Sequence, residues 1–361
     1  MGRAAQAALK MKIHSCETIA VKVNFEGVMA GTHIVLRLKT DEGIEGVSYV
    51  SRVGSRTLKP LKMLIEAMVQ ELVGQEATNT EAIYAKLYAG SLGAGISGIE
   101  QRAASAIDVA AWDIKGKALG QPVFKLMGGF RDRLPISANW ALMPGPKPDA
   151  LAAHLGNLLS RGFKAVKCPV GMAPLEMAIA HVKFVRECVG PTVKIIVDGN
   201  FRWSVKEAQR FAHETEECEL YWIEDPVVPH DFDGLKHITN TIKQRTCAGE
   251  VFQHMHEFRT LIERECSDNV MIDQDLGLTG FVRVANMAHV YGRPVVNHLA
   301  PEVLSHAIAA LPNGLIVGLV PWGQPLFCEP MKVENGELVM PQTPGLGLKL
   351  DESVLKSCAI A

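Results

Sequence analysis

The sequence predicts the α/β class: a (β/α)₈-type barrel, a modified TIM barrel, behind an N-terminal α+β capping domain that the C-terminal segment completes. Three observations predict it. Residues 12 to about 50 alternate like strands, and residues 57 to about 126 follow helical spacing. After about residue 134, eight short apolar runs recur, most of them separated by segments long enough for a helix. Ionisable residues sit at the C-terminal ends of six of those runs, the end of a parallel barrel where active sites lie.

The first domain, 1–133, opens with strands. In "THIVLRLKTDEGIEGVSYV", Ile34, Leu36 and Leu38 alternate with Val35, Arg37 and Lys39, and "TDEG" supplies a turn. Helices follow. "LKPLKMLIEAMVQELVG" carries one apolar stripe and closes at Gly74, and "QRAASAIDVAAWDIKGKALGQP" does the same before Gly120 and Pro122. The second domain, 134–330, holds the apolar runs "PISANWAL", "FKAVKCPV", "KIIVDGN", "LYWIEDP", "RTCAGE", "NVMID", "RPVVNHL" and "LIVGLVPW". Continuous apolar strands suit a parallel sheet covered on both faces. The last segment, 331–361, reads as loop and is expected to return to the first domain.

Composition narrows the function classes. The 361 residues carry a formal net charge of −2, so no global field favours nucleic acid or an anionic membrane, and neither is expected as a partner. No apolar run approaches the ~20 residues that a membrane-spanning helix needs. The eight cysteines are scattered without a CxxC pair, which suits reduced thiols and a cytoplasmic location. No GxGxxG follows a first strand, which argues against a nicotinamide enzyme.

The strand-end residues carry the chemistry. Lys167, Asp198, Glu224, Glu250, Asp273 and His298 are separated by 31, 26, 26, 23 and 25 residues, about one βα unit each. A single carboxylate at a strand end is most often a helix cap. Six ionisable groups in successive units need mutual charge compensation instead. Asp198, Glu224 and Glu250 would converge from adjacent strands and repel one another, so a divalent cation is their natural partner. An all-oxygen set favours Mg²⁺, and no His or Cys spacing completes a tetrahedral zinc set. Asn200 shares the parity of Asp198 and is a candidate for orienting substrate or metal ligands. A metal between a lysine and a histidine suits removal of a proton next to a carboxylate.

These residues carry a resemblance over nearly the whole chain. "AIDVAAWDIKGKALGQPVFKLMGG", "GFKAVKCPVG", "VDGN", "YWIEDP", "GE" and "NHL" follow one another as in the mandelate racemase subgroup of the enolase superfamily. Sites of that type pair a Lys or His base with Mg²⁺. The resemblance implies metal ligands at Asp198, Glu224 and Glu250, and a His298–Asp273 dyad as base. Asp275 shares the parity of Asp273, so either could partner His298.

Two departures from the subgroup narrow the expected chemistry. Lys-x-Lys on the second barrel strand is Lys167-Cys168-Pro169 here, and "LIVGLVPWG" offers no eighth-strand glutamate. Without a second lysine to lower its pKa, Lys167 is expected to stay protonated as an electrostatic clamp. His298 is then left as the base. One histidine can remove an α-proton and return it to a departing β-hydroxyl, which is dehydration of a sugar acid to a 2-keto-3-deoxy acid. Epimerisation, lactone cycloisomerisation and a non-catalytic metal-binding homologue are the alternatives. The expected partners are a small-molecule carboxylate, a hydroxy acid or sugar acid, and further copies of the chain. Specificity is expected from the first domain, with "NFEGVMAGT" (24–32) and "SRVGSRT" (51–57) as lids and Trp140 near the barrel mouth.

Overall fold

The computed structural model describes residues 11–25, 28–140, 142–145 and 147–360. Strands β1 (Ile13–Phe25), β2 (Val28–Thr40) and β3 (Glu45–Val50) form an antiparallel sheet in that order. The alternation read in β2 serves two cores. Ile34, Leu36 and Leu38 pack on helices α1 (Ser55–Leu72), α2 (Thr80–Ser91) and α3 (Ile99–Ala118). Val35, Val47 and Tyr49 join the larger core on the opposite face. Because α3 is rich in alanine, β3 approaches it closely. A Cβ at Gly46 would lie 2.1 Å from the Ala110 carbonyl oxygen, so only glycine fits there.

Two buried aspartates of α3 tie this sheet-and-helix unit to the rest. Asp113 accepts the Val47 and Leu346 N–H groups, each at 2.8 Å, and Asp108 accepts both the N–H and the hydroxyl of Thr279. After the short helix α4 (Val123–Leu126), eight parallel strands alternate with helices and form the barrel. They are β4 (Arg133–Ala138), β5 (Ala165–Pro169), β6 (Lys194–Asp198), β7 (Trp222–Glu224), β8 (Thr246–Ala248), β9 (Asn269–Ile272), β10 (Val295–Asn297) and β11 (Val317–Leu319). Every apolar run read from the sequence supplies one strand.

The ladder runs unbroken from β11 through β4 to β10. Between β10 and β11 the seam is joined by Val295, whose N–H donates to Asn313 and whose carbonyl accepts from Leu315, each at 2.9 Å. Above it the buried Asn297 side chain takes the place of a ladder. Its oxygen accepts the Gly318 N–H at 2.9 Å and its amide donates to the Gly318 carbonyl at 3.1 Å.

Strand alternation sorts the barrel side chains. Ala165, Ile196, Trp222, Cys247, Met271 and Val296 form one apolar layer inside, while Val166, Val197, Ile223 and Val270 pack outward with the helices. The C-terminal segment is more ordered than its loop-like composition suggests. Strands β12 (Val333–Glu334) and β13 (Glu337–Val339) form a hairpin, and β13 adds antiparallel to β4. Further on, Lys22 N–H donates to Cys358 O at 3.0 Å and Ile360 N–H to Ala20 O at 2.9 Å, so the chain ends along β1. Of the two expected lids, 24–32 is the tip of the β1–β2 hairpin, with Glu26 and Gly27 outside the described residues, and 51–57 runs into α1 at Ser55. Among the described residues no helix is long and apolar enough to cross a membrane.

The Asn297 seam is testable by equilibrium unfolding in urea. Asn297→Ala strips partners from two buried backbone groups, each worth ~1–3 kcal/mol when left unsatisfied. The midpoint should fall with the slope unchanged. An unchanged midpoint would mean that the Gly318 groups are satisfied some other way.

Candidate active site

Two residues beyond the inward apolar layer, the same parity brings in polar side chains. Ile196 leads to Asp198, Trp222 to Glu224, Met271 to Asp273 and Val296 to His298, while Ala165 leads to Lys167. Glu250 departs from this spacing. Gly249, with φ +127°, turns the chain after β8, and a Cβ there would meet the Met271 carbonyl oxygen at 2.5 Å. The "GE" pair is thus one device, a glycine turn that delivers the carboxylate.

Asp198, Glu224 and Glu250 each present an oxygen, and these oxygens lie within 4.8 Å of one another. Lys167 is buried beside them, with its Nζ 3.0 Å from Asp198 Oδ2 and bonded to Glu224 Oε1. The other Glu224 oxygen accepts the Trp222 indole N–H at 3.1 Å, from the apolar layer below. Asn200 donates its backbone N–H to Asp198 Oδ1 at 2.8 Å. On the far side His298 Nε2 lies 3.1 Å from Glu250 Oε2, at ion-pair distance but without a hydrogen bond. His298 Nδ1 lies 2.5 Å from Asp273 Oδ2. Asp275 turns away to Arg102 Nε at 3.1 Å and Gln253 Nε2 at 2.9 Å. Geometry therefore pairs His298 with Asp273.

Electrostatics follow from this crowding. Burial alone would lower the Lys167 pKa, but Asp198, Glu224 and Glu250 outweigh it and hold the ammonium charged well above the usual lysine range. Burial pushes Glu224 up to about 7, against the pull of Lys167. A fourth carboxylate, Asp225, was not singled out from sequence. Strand alternation turns the residue after Glu224 outward, but Asp225 has a left-handed backbone (φ +40°). It is buried with Oδ2 unpartnered, and burial followed by the charges of Glu250, Glu224 and Asp198 raises its pKa far above normal. One lysine does not balance this set. Converging oxygens with buried, unpartnered atoms on Glu250 and Asp225 fit a hard divalent cation held by Asp198, Glu224 and Glu250.

The group opens into a cavity of about 590 Å³. Lys167, Pro169, Asp198, Asn200, Glu250 and His298 line it, as does Trp140. Each of the two segments expected as lids contributes one lining residue, Phe25 from 24–32 and Arg52 from 51–57, whereas sequence reading missed His154 from helix α5 (Pro148–Ser160), Arg202 and Trp322. Phe25 packs edge-on against Trp140 with ring centroids 6.5 Å apart, so the β1–β2 hairpin reaches the barrel mouth.

A pH dependence of stability follows for metal-free protein. Burial lowers the His298 pKa, but Glu250 and Asp273 together raise it from 6.5 to about 9. The resulting stabilisation is present in full below pH 6.5 and is lost as pH rises through about 9. Because 18% of the side chain stays exposed, screening discounts its size to on the order of 2 kcal/mol. Unfolding titrations from pH 6 to 10 should show this slope in wild type and a flatter one in His298→Asn. An equally steep variant would assign the titration to another group.

Known proteins share this architecture. Residues 150–354 match the family described as "Enolase C-terminal domain-like", and residues 9–128 match "Mandelate racemase / muconate lactonizing enzyme, N-terminal domain". L-talarate/galactarate dehydratase from Salmonella typhimurium strain LT2 is 29% identical over 88% of this chain and 80% of that protein. The 3,6-anhydro-alpha-L-galactonate cycloisomerase of Streptomyces coelicolor is 28% identical over 91% of each chain. An enolase from Bradyrhizobium, crystallised with magnesium and mandelic acid, superposes with a TM-score of 0.92 at 25% identity over 98% of this chain and 99% of that one. The chain belongs to the enolase superfamily, in the mandelate racemase / muconate lactonizing enzyme group.

Proposed function

We propose that this chain is a Mg²⁺-dependent enzyme that removes the α-proton of a small hydroxy acid, and that its reaction is dehydration of a sugar acid to a 2-keto-3-deoxy acid. One observation carries the reading: His298 has Nδ1 anchored on Asp273 and Nε2 beside Glu250, in a cavity whose lining includes Lys167 and Pro169. A dehydratase among the relatives and a magnesium-bound structural neighbour support it.

Asp198, Glu224 and Glu250 would hold Mg²⁺, which when bound supplies positive charge against the substrate carboxylate. Lys167, kept protonated by its carboxylate neighbours, places a second cation at that end of the site. With the charge of Glu250 engaged by the cation it would hold, His298 would be released from its protonated form; Asp273 would then keep the remaining proton on Nδ1, and Nε2 would carry the free pair that takes the α-proton. The same Nε2–H then protonates the β-hydroxyl as its C–O bond breaks, releasing water. The enol left behind tautomerises to the keto acid, and His298 returns neutral.

A second reading has its own observation. His154 lines the same cavity and its buried Nε2 has no hydrogen-bond partner. If it reached the opposite face of the α-carbon, two bases would permit epimerisation.

Chelation should abolish solvent-deuterium exchange at the α-carbon of a responsive sugar acid, and Mg²⁺ should restore it. Glu224→Gln should weaken both metal affinity and rate without unfolding the barrel. Full exchange by metal-free protein would sink the metal assignment.

Stereochemistry separates the two readings. In D₂O the dehydratase reading places deuterium with one configuration, and His298→Asn loses the ~10²–10⁴-fold that a positioned base contributes. Accumulation of the substrate's epimer, abolished by His154→Ala, would decide for the second.

A further inference from the structure

The cavity lining carries a second charged feature. Arg52 leaves the end of β3 and Arg202 follows the loop after β6, and both line the cavity that holds Asp198, Glu250 and His298. Among the described residues neither guanidinium has a carboxylate within ion-pair distance. Arg102 and Arg283, by contrast, pair with Asp275 and Glu81.

Both arginines sit in or beside uncommon backbone. Arg52 is left-handed at φ +49°, and Arg202 follows two consecutive left-handed residues, Asn200 at φ +49° and Phe201 at φ +61°. None of the three left-handed residues is glycine, so each is held there at a cost on the order of 1 kcal/mol. Such strain persists where the surroundings over-determine it, and it concentrates at binding sites. The Arg52 guanidinium also lies over the Trp322 ring, 4.7 Å from its centroid. Stacking on an aromatic face fixes the guanidinium plane while leaving its N–H edge free to bind an oxyanion through two parallel bonds.

We propose that Arg52 and Arg202 form a second anion subsite, so that the substrate is a dianion with one carboxylate at the Lys167 end and another anionic group at the arginines. This rests on the reading of the site as one for α-proton removal from a carboxylate. The class that fits is a sugar diacid, with a terminally phosphorylated sugar acid offering the same chemistry at the arginines. Trp140, Met143 and Met172 line the cavity as well and suit the C–H faces of the carbon skeleton. A neutral polyol tail would leave two cations without a counter-charge.

Binding tests this independently of turnover. Calorimetry on Mg²⁺-loaded protein would compare matched pairs of the same configuration: galactarate with galactonate, glucarate with gluconate, and each aldonate with its 6-phosphate. The dianions should bind ~10- to 100-fold more tightly, the range for a charge-assisted pair. In Arg52→Met with Arg202→Met that advantage should collapse to about threefold or less. A 6-phosphate advantage without a diacid advantage assigns the second anionic group to phosphate, and the reverse assigns it to carboxylate. Either supports a second anion subsite. Equal binding of monoanions and dianions, or a dianion advantage that survives the double variant, overturns it. Deuterium exchange on the same acids reads the proton-removal step separately. Exchange without dianion preference sinks the second subsite alone, and dianion preference without exchange sinks the reaction alone.

Discussion

Mutual repulsion of carboxylates buried at one end of the barrel is the constraint to which the rest of the structure answers. At the separations found here, within 4.8 Å, two unit charges repel by about 3.5 kcal/mol or more even at an effective dielectric of 20. Asp198, Glu224 and Glu250 make three such pairs, and burial together with their charges holds Asp225 toward its neutral form. No single loop could hold that arrangement. The barrel does so because each carboxylate is fixed to a different strand end, and the strands are held by an apolar layer inside and a larger core outside. The compensating groups come from the same scaffold: Lys167 from β5, the Trp222 indole from the layer below, and His298 from the end of β10.

The first sheet is part of that compensation as well as part of the mouth. Its Tyr49 hydroxyl donates to Glu302 at 2.6 Å, four residues beyond His298, and its Tyr49 carbonyl accepts from the side chain of Gln274, the neighbour of Asp273. Arg102 of α3 bonds both Asp275 and the Ser51 carbonyl. One residue of β3 is therefore fastened both to the neighbour of Asp273 and to the first turn of the helix Pro301–Ala310 that follows His298. Cap and barrel share a buried hydrogen-bond network, and such networks fix geometry only when their members are all present.

Much of this was legible in the sequence because strand periodicity is a strong signal. Eight apolar runs gave eight strands, and ionisable residues recurring at their C-terminal ends about one βα unit apart singled out Lys167, Asp198, Glu224, Glu250, Asp273 and His298. What escaped has no period. Asp225 is buried near Glu250, Glu224 and Asp198 with a left-handed backbone that alternation cannot foresee. Arg202 lies on a loop, and His154 lies on a helix whose spacing is fixed by its own packing, whereas Arg52 falls within the segment 51–57 expected at the mouth. Asp273 and Asp275 share one parity. They are told apart by Arg102 and Gln253, which reach Asp275 from distant segments.

Pro169 shows how a residue that looks misplaced in sequence is accommodated in space. A proline inside a central strand removes a ladder donor, and such a strand is normally weakened. Here Pro169 stands opposite Asp198, where β5 and β6 both end. The Asp198 carbonyl is satisfied instead by Val170 N–H at 2.9 Å and Gly171 N–H at 3.2 Å, just past the strand. The missing donor thus leaves no carbonyl orphaned. Proline adds no charge beside Lys167, where a second ammonium would share the same carboxylates and repel its neighbour. Lys167 meets no second ammonium at Asp198 and Glu224 among the described residues, and those two carboxylates with Glu250 hold it in the charged form.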